Sequence, residues 1–126
     1  MESSLSPKTV LIVDDNFINL QILSRILKKS KCGIVSAQSG QQALEVVRES
    51  HPDLIILDVL MPEMSGFEVC RQLKSEPLTQ NIPVIFMTAL ADMENRDRGL
   101  EIGGVEYIVK PIDLHQVRAC VSKYVN

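Results

Sequence analysis

Asp53-Leu54-Ile55-Ile56-Leu57-Asp58-Val59-Leu60-Met61-Pro62-Glu63-Met64-Ser65-Gly66 is an apolar run that delivers a carboxylate and then breaks. Leu54 to Leu57 is too short to span a membrane and too uniformly apolar for a half-exposed strand. It therefore predicts a strand buried on both faces, the kind found in parallel sheets. Pro62 and Gly66 predict a tight, exposed turn behind it. An unpaired buried charge costs several kcal/mol. Asp58 must therefore either have a partner or stand at a surface built for chemistry.

On both sides of this stretch, short apolar runs alternate with amphipathic segments, five times from Lys8 onward. That alternation is the signature of βα units on a parallel sheet. The first strand, Thr9–Val13, closes on Asp14-Asp15-Asn16. A helix over Phe17–Lys29 follows, with Leu20, Leu23 and Leu27 on its apolar face and Ile22 and Ile26 alongside. Gly33–Ala37 is a weak second strand at an edge. Ser39 with Gln42 is a capping-box pattern for a second helix to Ser50, burying Ala43, Leu44, Val46 and Val47. Ser65 with Glu68 repeats that pattern before Phe67, Cys70 and Leu73. The fourth strand is read as Ile82–Met87, ending on Thr88-Ala89, and the fifth as Val105–Val109, followed at once by Lys110-Pro111. Between them, Asp92–Ile102 is helical in pattern but crowded with charge and interrupted by Gly99, which costs roughly 1 kcal/mol against Ala. A helix so lightly anchored is a candidate for movement. Leu114, Val117, Val121 and Tyr124 mark the apolar face of a final helix.

The 126 residues fit one domain, and a composition 45% hydrophobic and 23% charged is that of a globular one. A net charge of −3 without a basic stripe in the sequence argues against nucleic-acid or anionic-membrane binding. Residues 1–7 lack the basic flank and apolar core of a signal peptide and read as a disordered lead-in, with the domain over residues 8–126 and a cytoplasmic location. Cys32, Cys70 and Cys120 are odd in number and lack metal-ligand spacing, so buried free thiols are expected.

In an open parallel sheet, functional groups gather at the carboxyl ends of the strands. Reading the residues just past each long strand gives Asp14 and Asp15, Asp58, Thr88 and Lys110. Three carboxylates in one pocket repel, and a hard divalent cation with oxygen ligands, Mg²⁺ or Mn²⁺, would hold them ionised. Carboxylates, a lysine and a hydroxyl are what phosphoryl transfer needs. Asp58 is then the nucleophile, because a carboxylate can form an acyl phosphate. Singly, each residue has a plainer role: Asp14-Asp15-Asn16 a helix cap, Thr88 a turn, Tyr107 core, Lys110 a solvated charge. His51 and His115 lie away from this rim and receive no catalytic role.

Val10–Asn16, Leu57-Asp58 with Met61-Pro62 and Gly66, Thr88-Ala89 and Tyr107–Pro111, in this order and spacing, resemble the receiver domain of response regulators in two-component and phosphorelay signalling. The resemblance covers the chain from Lys8 to Val125. It implies a flavodoxin-like α/β fold, with a five-stranded parallel sheet in order 2-1-3-4-5 doubly wound by five helices. It implies that Asp58 accepts a phosphoryl group from a phosphohistidine on a histidine kinase or phosphotransfer protein. Asp15, Asp58 and the main-chain carbonyl of Leu60 would ligate the metal, with Asp14 acting through water. Lys110 would contact a phosphoryl oxygen, and the Lys110-Pro111 peptide would be cis. Thr88 would move toward the phosphoryl group and Tyr107 would change rotamer, carrying the change to the face of the fourth helix, fifth strand and fifth helix. That face would serve an effector domain, a target protein or a homodimer. Ala89 would leave access to Asp58, while Leu60 and Leu90 would hinder attacking water and slow self-dephosphorylation. Asn16 and Asn19 match an opening frequent in receivers of hybrid kinases and phosphorelays. Ser65, and Gly103-Gly104-Val105-Glu106 before Tyr107, depart from the usual pattern without touching the phosphoryl site.

Three other readings share parts of this pattern. A flavodoxin-like nucleotide carrier shares the fold, but Asp14 and Asp15 would repel phosphate where its first loop should cradle one. An aspartate-nucleophile phosphatase would carry its nucleophile after the first strand, not the third. A receiver-like module that no longer takes phosphate would not need the full set of five polar residues. The chain's own chemistry would be phosphoryl transfer to itself and slow hydrolysis, with no external substrate turned over.

Overall fold

The structure, a computed structural model, describes residues 8–125; the lead-in expected over residues 1–7 lies outside them. Ten elements alternate along the chain: β1 (Thr9–Val13), α1 (Phe17–Lys28), β2 (Gly33–Ala37), α2 (Gly40–Ser50), β3 (Leu54–Leu57), α3 (Gly66–Lys74), β4 (Val84–Thr88), α4 (Met93–Ile102), β5 (Glu106–Val109) and α5 (Leu114–Val125). The strands form one parallel sheet in the order β2-β1-β3-β4-β5. No helix among the described residues is long and apolar enough to cross a membrane.

The uniform apolarity of the central strands has a direct cause, since successive side chains point to opposite faces and both faces are covered. Leu11, Val13, Ile55, Leu57 and Phe86 pack into one core with α2 and α3. Val10, Ile12, Ile56, Ile85 and Met87 pack into a second core with α1 and α5. β2 stands at one edge and is only half-buried over most of its length.

Several boundaries and faces differ from the sequence reading. β4 begins at Val84, because Pro83 has no N–H to donate, and it runs through Thr88. β5 begins at Glu106 rather than Val105, and α1 ends at Lys28 with Lys29 as its cap. Ile22 and Leu114 are exposed, and Val46 is only half-buried. Four residues from Ile18 on a 3.6-residue period, Ile22 stays on the solvent side, while α5 buries Val117, Cys120 and Val121. Cys32 is half-buried rather than buried. Ser39 and Ser65 cap α2 and α3, accepting from Gln42 N at 3.1 Å and Glu68 N at 3.3 Å, but neither box closes reciprocally. The Gln42 side chain accepts from Gln38 N, and Glu68 turns toward Gln72 and Arg71.

The turn after β3 is also built differently. Glu63 holds the left-handed conformation, with φ 71°, while Gly66 is the buried first residue of α3. α4 buries only Gly99, which packs on the rings of Phe86 and Tyr107. A β-carbon there would lie 3.1 and 3.2 Å from those rings. The glycine that weakens the helix is therefore what lets it lie against the sheet.

Candidate functional site

Register brings the rim residues together. Val13 lies beside Leu57, and Thr88 beside Val109, so the next residues, Asp14, Asp58 and Lys110, extend the ladders by one step. Asp58 N donates to Val13 O at 3.0 Å, and Lys110 N to Thr88 O at 2.8 Å. These backbone bonds fix where each functional side chain starts.

The side chains then converge. Lys110 Nζ donates to Asp14 Oδ2 at 2.8 Å and to Asp58 Oδ2 at 3.0 Å. Both acids are buried, Asp14 at 2% and Asp58 at 5% exposure, whereas Asp15 is exposed. Ligand atoms of Asp14, Asp15 and Asp58 all lie within 4.8 Å of one another. Asp14 Oδ1 accepts from Asn16 N at 2.8 Å, and its Oδ2 accepts from Asn19 Nδ2 at 3.2 Å. Both oxygens of Asp14 are thus engaged by the protein. Asp58 Oδ1 takes the N–H of Leu60 at 3.1 Å.

Burial pushes the Asp58 carboxyl above its ordinary range; Lys110 and the Leu60 N–H oppose the rise, and the charge of Asp14 adds to it. For Lys110, burial alone would lower the ammonium's pKa, but its pairs with Asp14 and Asp58 together raise it. Three carboxylates against one ammonium leave the site two negative charges from neutrality. A divalent cation makes up that deficit, and an all-oxygen donor set suits Mg²⁺. The residues present therefore fit the metal that the sequence implies.

Beyond the acids, Thr88 is fully buried, and its Oγ1 accepts from Leu90 N at 3.3 Å. The carbonyl of the same Leu90 accepts from the Tyr107 hydroxyl at 2.8 Å. Tyr107 is buried against Phe86, with ring centroids 6.2 Å apart. Burial, with the charges of Asp92 and Asp58, raises its phenol pKa. The Lys110-Pro111 peptide is cis. Ala89 is exposed, Leu90 is half-buried, and Leu60 is 49% exposed at the mouth.

Every rim residue singled out in the sequence lies in this cluster or in the Thr88–Leu90–Tyr107 chain leading from it. Two features escaped the sequence reading. Asn19 holds Asp14, a role visible only as the spacing Asp14 to Asn19, one turn into α1. Phe17 and Ile18, at 60% and 64% exposure, crown the start of α1 beside Asp15; their displacement from the Leu20-Leu23-Leu27 face was the available signal.

The family model for the response regulator receiver domain matches residues 10–122. A probable cyclic di-GMP phosphodiesterase of Vibrio cholerae is 40% identical over 122 residues, 97% of this chain and 27% of that protein. The polar-differentiation response regulator DivK of Brucella ovis is 38% identical over 120 residues, covering 94% of this chain and 97% of that one. Among solved structures, a response regulator from Chloroflexus aurantiacus superposes with a TM-score of 0.90 at 31% identity, covering 95% of this chain and 98% of the other. This chain spans only about a quarter to a half of the length of several curated relatives it matches. The five-stranded order, the acidic rim and the family match together place the chain in the response regulator receiver domain family.

Proposed function

We propose that this domain is a phosphorylation-controlled switch in which Asp58 accepts a phosphoryl group from a phosphohistidine of a histidine kinase or phosphotransfer protein. The observation that carries this is the triangle of Asp14, Asp58 and Lys110 beside exposed Asp15. An Asp58 oxygen attacks phosphorus, the P–N bond breaks, and the imidazole leaves with the bonding pair. Lys110, which bonds both buried acids, would hold a phosphoryl oxygen. Asp15, Asp58 and the Leu60 carbonyl would hold Mg²⁺ or Mn²⁺. Asp14, with both oxygens engaged, would act through water. When bound, the cation supplies charge neutralisation for the phosphoryl oxygens.

Thr88 and Tyr107 hold Leu90 from either side, one through its N–H and the other through its carbonyl. If the Thr88 hydroxyl turns toward a phosphoryl oxygen, it releases Leu90 N–H, and the Leu90 carbonyl that anchors Tyr107 shifts with it. The reading is therefore a two-state protein whose phosphorylated form favours a changed α4-β5-α5 face, open to an effector domain, a target protein or a second copy. Incubation with a small phosphodonor and Mg²⁺ is expected to yield one hydroxylamine-labile acyl phosphate per chain, lost when EDTA is added first. No adduct, or one indifferent to EDTA, would overturn the reading.

Two further results are expected at the mouth. Leu60 and Leu90 offer attacking water no hydrogen-bonding partner, so the acyl phosphate should persist for minutes rather than seconds. Leu60→Asn should shorten that lifetime about tenfold, or about 1.4 kcal/mol of barrier, measured as phosphate release. Phe17 and Ile18 form an apolar collar on which a phosphohistidine protein would seat. Ile18→Glu should slow transfer from such a protein by about tenfold and leave the small-donor reaction unchanged.

A further inference from the structure

Charge is divided unequally between the two helical layers. α1 and α5 contain no carboxylate, whereas α2, α3 and α4 carry Glu45, Glu49, Glu68, Glu94, Asp97 and Glu101. The positive layer has a groove. Arg25 and Lys28 from α1, its cap Lys29, and Arg118 from α5 line a depression of about 480 Å³ floored by Ile26 and Leu114. Among the described residues, none of these four cations has a carboxylate within 4.0 Å. Exposed lysines are ordinarily just solvated. Here, however, the cations rim an apolar floor in a chain whose net charge is −3, and Leu114 is left exposed at the opening.

We propose that the α1–α5 groove docks an acidic amphipathic segment of a partner protein, with carboxylates meeting the four cations and a large apolar side chain lying on Ile26 and Leu114. An apolar centre within a charged rim is the arrangement of a peptide-binding surface. A polyanion such as nucleic acid would gain nothing from the floor and would be repelled by the acidic remainder of the chain. On α1 the groove begins nine residues beyond the Asn16 cap, about 13 Å down the helix axis, and on α5 it begins at Leu114.

The test titrates the ¹⁵N-labelled protein with an acidic peptide of about 18 residues, ~27 Å as a helix, carrying leucines at i, i+3, i+4 and i+7 and glutamates elsewhere. Saturable shifts are expected on the carboxyl half of α1 and the amino half of α5. A peptide of the same composition with scrambled pattern should bind at least about tenfold more weakly. The double reversal Lys29→Glu with Arg118→Glu should weaken the patterned peptide roughly tenfold or more while leaving small-donor phosphorylation unchanged. If that variant loses phosphorylation, Lys29→Gln with Arg118→Gln replaces it. The proposal fails if shifts are absent or lie elsewhere, or if patterned and scrambled peptides bind alike. It fails equally if a short DNA duplex or anionic vesicles bind the groove more tightly at the same salt, or if the variants bind like the parent.

Discussion

Asp58→Asn is expected to abolish phosphate uptake from any donor, a loss on the order of a thousandfold or more, and at the same time to raise the stability of the fold at neutral pH. The loss follows because an amide cannot act as the nucleophile that forms an acyl phosphate. The gain follows from the sign of the Asp58 shift. Burial, with the charge of Asp14 adding, holds its folded pKa above the unfolded value despite Lys110 and the Leu60 N–H. Below the unfolded pKa both states are protonated and ionisation costs the fold nothing. As pH rises through the unfolded and then the folded value, that stability is lost, and above the folded value the full cost of the buried charge is present. Asparagine keeps the shape without the charge; its one acceptor oxygen serves the Leu60 N–H, and its amide nitrogen takes the place of the oxygen that Lys110 bonds. Lys110, whose pKa is raised, keeps Asp14 as partner, and its own contribution fades only at alkaline pH, outside this window. The melting temperature of Asp58→Asn should therefore exceed that of the wild type at pH 7, with the difference narrowing as pH falls through the carboxylate range. A lower melting temperature at pH 7 would mean that the Lys110–Asp58 pair outweighs the burial cost.

Gly66→Ala is expected to cost the fold about 3 kcal/mol or more, measured by denaturant unfolding, and to slow phosphorylation of whatever remains folded. The β-carbon would lie 2.1 Å from the carbonyl oxygen of Asp58, 2.9 Å from its carbon and 3.0 Å from Val59 Cα. All three atoms are backbone, so no side-chain rotation relieves the clash. Gly66 N also donates to Val59 O at 2.9 Å, locking the start of α3 onto the loop that follows Asp58. Any shift that admits the methyl group must move Asp58. Gly33→Ala is the control: the nearest atom there would be 3.5 Å away, so that change should be close to neutral. A neutral Gly66→Ala would show that the loop has slack absent from its packing.

These two residues illustrate what was readable in advance. Asp58 could be found because a carboxylate closing a four-residue apolar run is costly anywhere but at a paired or reactive position. Gly66 could be found only as punctuation. Its reason is close approach across the loop, whereas the left-handed turn falls to Glu63, a residue with no turn preference strong enough to mark it. Asp14 and Asp15 make the same point. Adjacent in sequence and chemically identical, they separate in space, one buried on Lys110 and the other exposed at the mouth. Capping was half legible: the serines bond their helices as expected, but Gln42 and Glu68 find other partners, because an exposed side chain chooses among neighbours of similar energy.

The sequence by itself determined the fold class, the number of elements and the edge of the sheet at which the acids and Lys110 gather. Those depend on periodicity and on strand ends, both local properties repeated five times along the chain. Tertiary structure alone decided which acids pair with Lys110, that Leu90 links Thr88 to Tyr107, that Gly99 lets α4 rest on Tyr107, and that the cations of two helices share one apolar groove. Each of these joins residues from separate elements, and their distance is set by register and layer packing, which no local pattern encodes.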